Sequence, residues 1–555
     1  MAYVVGDYLL DRLHELGVTE IFGVPGDFNL QFLDHVVAHP GLRWVGSANE
    51  LNAGYAADGY ARLRGIGAVV TTYGVGELSA VNAIAGSYAE HVPVVHIVGV
   101  PAKDIQANHR VIHHTLGDGD FHHFRRIAAE VTCAQADLGA ADACQEIDRV
   151  LNSVRVHRRP GYLMLATDVA RLEAAPPAAP LAPAADFSSD GARLAFARAA
   201  REFLADRQVT VLADVFVDRV GATDELRALL AIGEVPHATL AWGKTVVDES
   251  APHFVGVYTG AASPEPVRAA VEDAERLITV GVQYTDSITA GFSHRIDPRR
   301  TLEIGPERSV IAGVDAFAPL SLPAALEVLA EISADFAPTH IAPVAPDPEP
   351  VDRAPADTPL TQAALWPLIA GALGNSNIVV ADQGSAFFGL ATLRMPAGIT
   401  FLGQPLWGSI GYALPAALGA GLACPDRRAV LVIGDGAAQL SIQELGTWIR
   451  ERLTGVIILV DNNGYAIERA IHGPQAPYND IAPWRWSELP HAFGGDENSV
   501  LTLRAATVGE LRECLEVATQ AQDCLVFLQV VTGTTDYPPL VADIAAALTR
   551  ANSRS

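Results

Sequence analysis

Leu431-Val432-Ile433-Gly434-Asp435-Gly436 and, further on, Val456-Ile457-Ile458-Leu459-Val460 running into Asn462-Asn463-Gly464 are the stretches on which the fold is read. Each is an apolar run that ends in a polar side chain beside glycine. That is the pattern of a buried strand delivering a polar group at its carboxyl end. Twenty-five residues separate Gly436 from Asn462, and a helical pattern starting near Ser441 fills the interval. The unit therefore reads strand, helix, parallel strand, and ligands in such sheets bind beyond the carboxyl ends. Asp435 and Asn462 offer one carboxylate and one amide oxygen there. Oxygen-only donors suit Mg2+ or Ca2+ rather than zinc, and Mg2+ completes its octahedron with phosphate oxygens and water. A lone Gly-Asp-Gly is equally a tight turn, but its pairing with a strand-borne Asn-Asn-Gly predicts a cation bridging the protein to a diphosphate.

Upstream, the same alternation recurs. Val4 to Leu16 and Leu51 to Leu63 carry helical spacing, while Glu20 to Val24, Ala68 to Thr72 and Pro93 to Val100 read as strands. Pro25-Gly26-Asp27 and Thr72-Tyr73-Gly74-Val75-Gly76 fall at strand ends. Ala174 to Ala185 and Ala337 to Pro359 are Pro-rich connectors, and between them lie the strands Val209–Ala213 and Leu277–Val282. With 555 residues the chain exceeds a single core. The expected architecture is α/β: three consecutive domains with parallel sheets, at 1–173, 190–336 and 358–555. The first and third are candidates for a shared fold.

Composition narrows the partners. Half the residues are hydrophobic and 18% are charged, as in a well-buried globular chain. The 38 basic and 64 acidic residues leave a formal charge of −26, a field that opposes nucleic acid and anionic membranes. Met395 to Pro425 carries no charge, but four prolines and six glycines interrupt it, so a buried region is expected rather than a membrane span. Cys133, Cys144, Cys424, Cys514 and Cys524 are scattered and read as reduced core thiols of a cytoplasmic protein. Asp7, Asp11 and Arg12 on the opening helical pattern argue against a signal peptide.

The Gly-Asp-Gly and Asn-Asn-Gly pair resembles the signature of thiamine-diphosphate enzymes. The resemblance implies a cofactor-binding fold in the first and third domains. It makes Asp435, the Asn462 side chain and the Gly464 main-chain oxygen the Mg2+ ligands, with Gly434, Gly436, Ala437, Tyr465, Ile467 and Ser385 against thiamine diphosphate. Ser385-Ala386 departs from the Thr-Ser usual in the family, as Asn463 and Ala466 depart from its common residues. Asn49-Glu50-Leu51-Asn52 opens a helix, where Glu50 is a favourable first-turn charge. The resemblance implies more: the matching glutamate bonds N1′ of the aminopyrimidine and favours the tautomer that deprotonates the thiazolium. Gly408-Ser409-Ile410-Gly411 matches the segment that bends the cofactor, with Ile410 as wedge and the Gly408 carbonyl accepting from the 4′-amino group. Plain core packing of Ile410 is compatible with that role.

Asp27, the pair His113-His114, and Glu468 match the 2-oxo acid decarboxylases, which resemble this chain from Val5-Gly6-Asp7 to its last helix. After CO2 leaves, carbon must be protonated and aldehyde released, steps that Asp, His and Glu can serve. The four histidines from His113 to His123 are not expected to form a metal cluster, because adjacent side chains cannot face one ion from a helix or strand. His122 and His123 are expected at a surface or interface. Phe387, Ile467, Ile471, Ile544 and Leu548 match the substrate pocket, and all are apolar. The similarity to actinobacterial branched-chain decarboxylases implies branched or aromatic 2-oxo acids rather than pyruvate, in branched-chain amino acid catabolism. It also implies a homodimer or homotetramer with sites between subunits. The rivals are a carboligase of the same fold, an indolepyruvate-specific decarboxylase, and a cofactor-binding protein without catalysis. A nicotinamide dehydrogenase is disfavoured, since no complete G-x-G-x-x-G opens a helix.

Overall fold

In a computed structural model of the chain, residues 2–183, 185–233, 235–337 and 354–552 are described. Most of the connector expected at Ala337 to Pro359 lies outside them, as does the side chain of Leu548. Three sheets follow one another. The first runs, in spatial order, Arg43–Gly46, Glu20–Gly23, Gly67–Thr72, Val94–Val100, Gly161–Ala166 and Ala134–Asp137. The third runs Thr400–Leu402, Ile378–Ala381, Ala429–Gly434, Val456–Asp461, Leu525–Val531 and Val500–Ala505. Both are wholly parallel. When each sheet's strands are numbered in chain order, both read 2-1-3-4-6-5, so the two units share a topology. Every residue of Gly67–Thr72, Val94–Val100 and Gly161–Ala166 is buried, as strands covered by helices on both faces must be.

The central sheet has seven strands and differs from expectation at one edge. Thr301–Ile304, Ser309–Ile311 and Asp315–Phe317 pair antiparallel. The turns between them are too short for the crossover that a parallel pair requires. The helical pattern expected near Ser441 is present as a 3-10 turn, Ile442–Glu444, that runs into the helix Leu445–Arg450, and a separate single turn at Asp435–Ala438 precedes it. The charge-free stretch folds into Thr400–Leu402 and the buried helix Ala413–Ala423. Among the described residues no helix is long and apolar enough to cross a membrane. The five cysteines are unpaired and half-buried, which corrects their reading as core residues.

The helix Glu50–Arg64 lies against Ala413–Ala423 at backbone contact. A Cβ on Gly59 would stand 2.0 Å from the Ala416 carbonyl oxygen, and one on Gly419 1.9 Å from that of Ala56. Both positions therefore exclude any side chain. Beside this seam Tyr412 Oη and Arg62 Nε donate to Asp58 at 2.6 and 2.7 Å. Buried Glu90 accepts from Trp242 Nε1 at 2.7 Å and from the Leu406 amide at 3.0 Å, which ties the central unit to the other two.

Candidate active site

In the third sheet the strands Ile378–Ala381 and Ala429–Gly434 are neighbours. The chain leaves their carboxyl ends in different directions, and this is where an open parallel sheet binds its ligand. A cavity of about 310 Å3 lies there. Its floor is Asp382 to Ser385, Gly434 to Ala437, Asn462 and Gly464, and its walls are Gly408, Ile410, Phe388, Tyr465, Ile467, Glu468, Ile471 and Ile544. Ser287 of the central unit and Val541 and Ala545 of the last helix also line it.

Asp435 is 1% exposed. Its Oδ1 accepts from the Gly436 amide at 2.7 Å, and Oδ2 from the Asn462 and Gly464 amides at 3.0 and 3.3 Å. Burial pushes its carboxyl up to about 7, against the Gly436, Asn463 and Asn462 amides that lower it, and the Asp461 charge adds to the rise. The Asn462 carboxamide faces two acceptors, the Gly464 carbonyl oxygen at 2.8 Å and Asp435 Oδ1 at 3.1 Å. With its nitrogen turned toward them it donates twice; with its oxygen so turned, three oxygens converge. Spacings of 2.8 and 3.1 Å are those at which neighbouring oxygens can share one divalent cation. Gly464 has φ +143, and a Cβ on it would stand 2.2 Å from the Asn479 carbonyl oxygen, so the carbonyl can take this position only from glycine. Gln383 Oε1, also in the lining, is buried without a hydrogen-bond partner. It is an acceptor that a polar ligand can satisfy.

Glu50, Asp27, His113 and His114 are absent from this lining. They gather at the matching end of the first sheet. Glu50 starts the helix Glu50–Arg64, whose N-cap Asn49 accepts from the Asn52 amide at 2.8 Å. Glu444 of the third unit accepts from the Ala48 amide at 3.1 Å and Asn52 Nδ2 at 3.0 Å, so both flanks of Glu50 are held. A Cβ on Gly76 would come 3.1 Å from Glu50 Oε1, and one on Gly26 2.5 Å from Thr72. The turn after Gly67–Thr72 thus approaches that carboxylate, and the loop after Glu20–Gly23 packs on the end of the same strand. His113 Nε2 and Asp27 Oδ2 are 2.8 Å apart with both side chains at least half exposed, and the Phe28 ring stacks on His113 at 5.0 Å.

Two readings need correction. Phe387 is fully buried against Phe388 and Phe401, and it is Phe388 that lines the cavity. Consecutive residues of a helix point about 100° apart, so only one of the pair faces the cavity. His113 and His114 do converge. They lie in a turn rather than a helix or strand, with His114 at φ +64, and their ligand atoms and that of Asp27 lie within 4.8 Å of one another. Asp382, Gln383, Ser287, Phe388, Val541 and Ala545 were missed. Asp382 was findable as the residue ending a strand just before Gly384-Ser385, and Phe388 from helical phase. Nothing local marks Ser287.

Comparison with known proteins defines the class. The N-terminal thiamine pyrophosphate binding domain of thiamine pyrophosphate enzymes matches residues 4–123, their central domain 196–360, and their C-terminal thiamine pyrophosphate binding domain 382–530. The chain belongs to the thiamine pyrophosphate enzyme family, in the branch that holds the curated alpha-keto-acid decarboxylases. It is 58% identical over 550 residues to the "Alpha-keto-acid decarboxylase" of Mycobacterium ulcerans (strain Agy99), covering 98% of this chain and 96% of that one. It is 57% identical over 555 residues to the same-named protein of Mycobacterium leprae (strain TN), covering 99% and 95%. A solved structure, the Rhodococcus jostii RHA1 thiamine diphosphate-dependent 4-hydroxybenzoylformate decarboxylase, shares the fold with a TM-score of 0.77 at 21% identity, covering 96% and 99% of the two chains.

Proposed function

We propose that this enzyme decarboxylates 2-oxo acids with branched aliphatic or aromatic side chains to aldehyde and CO2, using thiamine diphosphate and Mg2+. The reading is carried by one observation: an oxygen-ligand floor of Asp435, Asn462 and Gly464 lies beneath walls that are mostly apolar. When bound, the cofactor supplies the electron sink for the departing carboxylate. The chain's own residues would do the rest. Asp435, Asn462 and the Gly464 carbonyl would hold the cation and through it the diphosphate. Ile410 would fix the bend of the cofactor, and the Gly408 carbonyl and Ser385 would face its amino group. Glu50 would hold a proton at the aminopyrimidine ring. Asp27, His113, His114 and Glu468 would exchange protons with carbon and oxygen of the reacting group. Phe388, Ile467, Ile471 and Ile544 would take the side chain, and apolar walls disfavour a carboxylate more than neutral CO2.

A hydrophobic pocket discriminates by about 1–3 kcal/mol per methylene. We therefore expect kcat/KM for 2-oxoisocaproate, phenylpyruvate or indolepyruvate to exceed that for pyruvate by roughly tenfold or more. A pyruvate preference defeats the substrate assignment, and a chiral ketol as main product would favour a carboligase. The domain limits 1–173, 190–336 and 358–555 fit the three sheets and the two Pro-rich connectors, and a cytoplasmic location fits the unpaired cysteines.

The exposed Asp27–His113 pair and the absence of first-unit residues from the cavity lining support a site completed by a second copy. The assembly would be a homodimer or homotetramer. Mixing inactive Glu50→Gln and Asp435→Asn proteins under subunit exchange should then restore roughly a quarter of normal turnover. Half of the dimers are hybrids, each with one intact site of two. No recovery, with exchange verified by mass spectrometry, places each site within a single chain.

A further inference from the structure

The turn that presents Ile410 to the cavity is held on a buried anion. Asp382 is the first residue after the strand Ile378–Ala381 and is 1% exposed. Its carboxylate accepts from the Gly411 amide, at 3.2 Å to Oδ1 and 3.1 Å to Oδ2, and from the Ala413 amide at 3.0 Å to Oδ2. Gly411 follows Ile410 directly in the chain and has φ +86, and Ala413, two residues beyond Gly411, opens the helix Ala413–Ala423. Ser441 Oγ donates to the carbonyl of the same Gly411 at 2.7 Å. On the opposite side Tyr55 Oη and Ser409 Oγ are 2.6 Å apart. The residues on both sides of Ile410 are therefore held, Ser409 by Tyr55 and Gly411 by Asp382 and Ser441.

No lysine, arginine or histidine pairs with Asp382 among the described residues. A buried carboxylate without a cation is destabilising unless hydrogen bonds compensate. Burial pushes its carboxyl up to about 7 against the backbone donors that pull it down. An apolar side chain would fill the space at lower cost but would leave the Gly411 and Ala413 amides unpaired. What the aspartate supplies is a fixed acceptor pair for those two peptides.

We propose that Asp382 is a positioning residue: by gripping the Gly411 and Ala413 amides it sets how far Ile410 projects into the cavity. The inference rests on Ile410 acting as the wedge. It is tested with the full-length protein stripped of metal and cofactor, then titrated with thiamine diphosphate at saturating Mg2+. Two readouts are followed, the affinity and the near-ultraviolet circular dichroism of the bound cofactor, for Asp382→Asn, Ile410→Ala and the double variant. Loss of hydrogen bonds to a charged acceptor is expected to weaken binding roughly 10–100-fold. The dichroism of Asp382→Asn should change as it does for Ile410→Ala, and the double variant should be no worse than the poorer single, the mark of residues acting as one unit.

If Ile410→Ala leaves the dichroism unchanged, the wedge reading fails and this inference with it. If Ile410→Ala changes it but Asp382→Asn lowers only the melting temperature, or the two effects multiply, the inference alone is overturned. Should Asp382→Asn not fold, Asp382→Glu is read the same way, alone and combined with Ser441→Ala. Asp382→Glu keeps the charged acceptor but displaces it from the Gly411 and Ala413 amides, and the combination loosens both faces of the Gly411 peptide. An unaltered dichroism band in Asp382→Glu overturns the proposal.

Discussion

Glu50→Gln is expected to lower kcat by roughly two to four orders of magnitude, the range for a lost acid–base group, while the melting temperature barely moves. That contrast separates the two readings of this glutamate. As a first-turn helix charge, Glu50 would contribute only about 0.3–1 kcal/mol. The helix start also has its own cap in Asn49 and a second support in Glu444. As a proton-holding group against the cofactor, Glu50 would carry the chemistry and little of the stability. Initial rates of CO2 release and thermal unfolding, measured on the same preparations, decide the matter. A large drop in melting temperature with turnover retained reduces Glu50 to a capping residue.

Removal of the divalent cation is the second large effect. Chelation should release thiamine diphosphate, and neither cation nor cofactor should rebind firmly alone. Asp435 is the single carboxylate among the three proposed oxygen donors, so it would supply the formal charge that the protein places on the cation. Asp435→Asn should therefore weaken metal-dependent cofactor binding by more than the roughly 10–100-fold that follows loss of an outer-shell partner. Binding also stabilises the fold by mass action, about 2.7 kcal/mol at a hundred times Kd. The stripped protein should melt lower and recover only when both components are returned. Calorimetric titration with and without Mg2+ provides the check. Cofactor binding that ignores the metal would remove Asp435, Asn462 and Gly464 from the role given to them.

Much of the site could be read before the fold because its parts are local. Asp435 and Asn462 sit where apolar runs stop, and the backbone geometry of a strand end is set by the few residues around it. Gly464 is required where its carbonyl crosses the Asn479 backbone, and such positions leave a mark in the sequence. The parallel order of the first and third sheets follows from alternation of strand and helix, with crossover lengths that permit nothing else. The antiparallel edge of the central sheet escaped that reasoning, since its strands are three or four residues long and carry little pattern.

Other features are set by phase and by distant chain segments. Phe387 and Phe388 are equally apolar, and only the rotation of their helix against the sheet sends one ring into the core and the other to the cavity. His113 and His114 converge because a left-handed residue breaks the geometry that would separate them. Asp382 and Glu444 earn their roles through amides 29 and 396 positions away in the chain, in contacts such as those with Gly411 and Ala48. Sequence alone therefore indicated the class of chemistry, through motifs that resemble a known family, and pointed to Asp435 and Asn462 as candidate oxygen donors, since strand ends and glycines are short-range matters. Tertiary structure decided which side chains face the cavity and what braces Ile410 and Glu50, because helix phase and long-range hydrogen bonds are fixed only when the units pack.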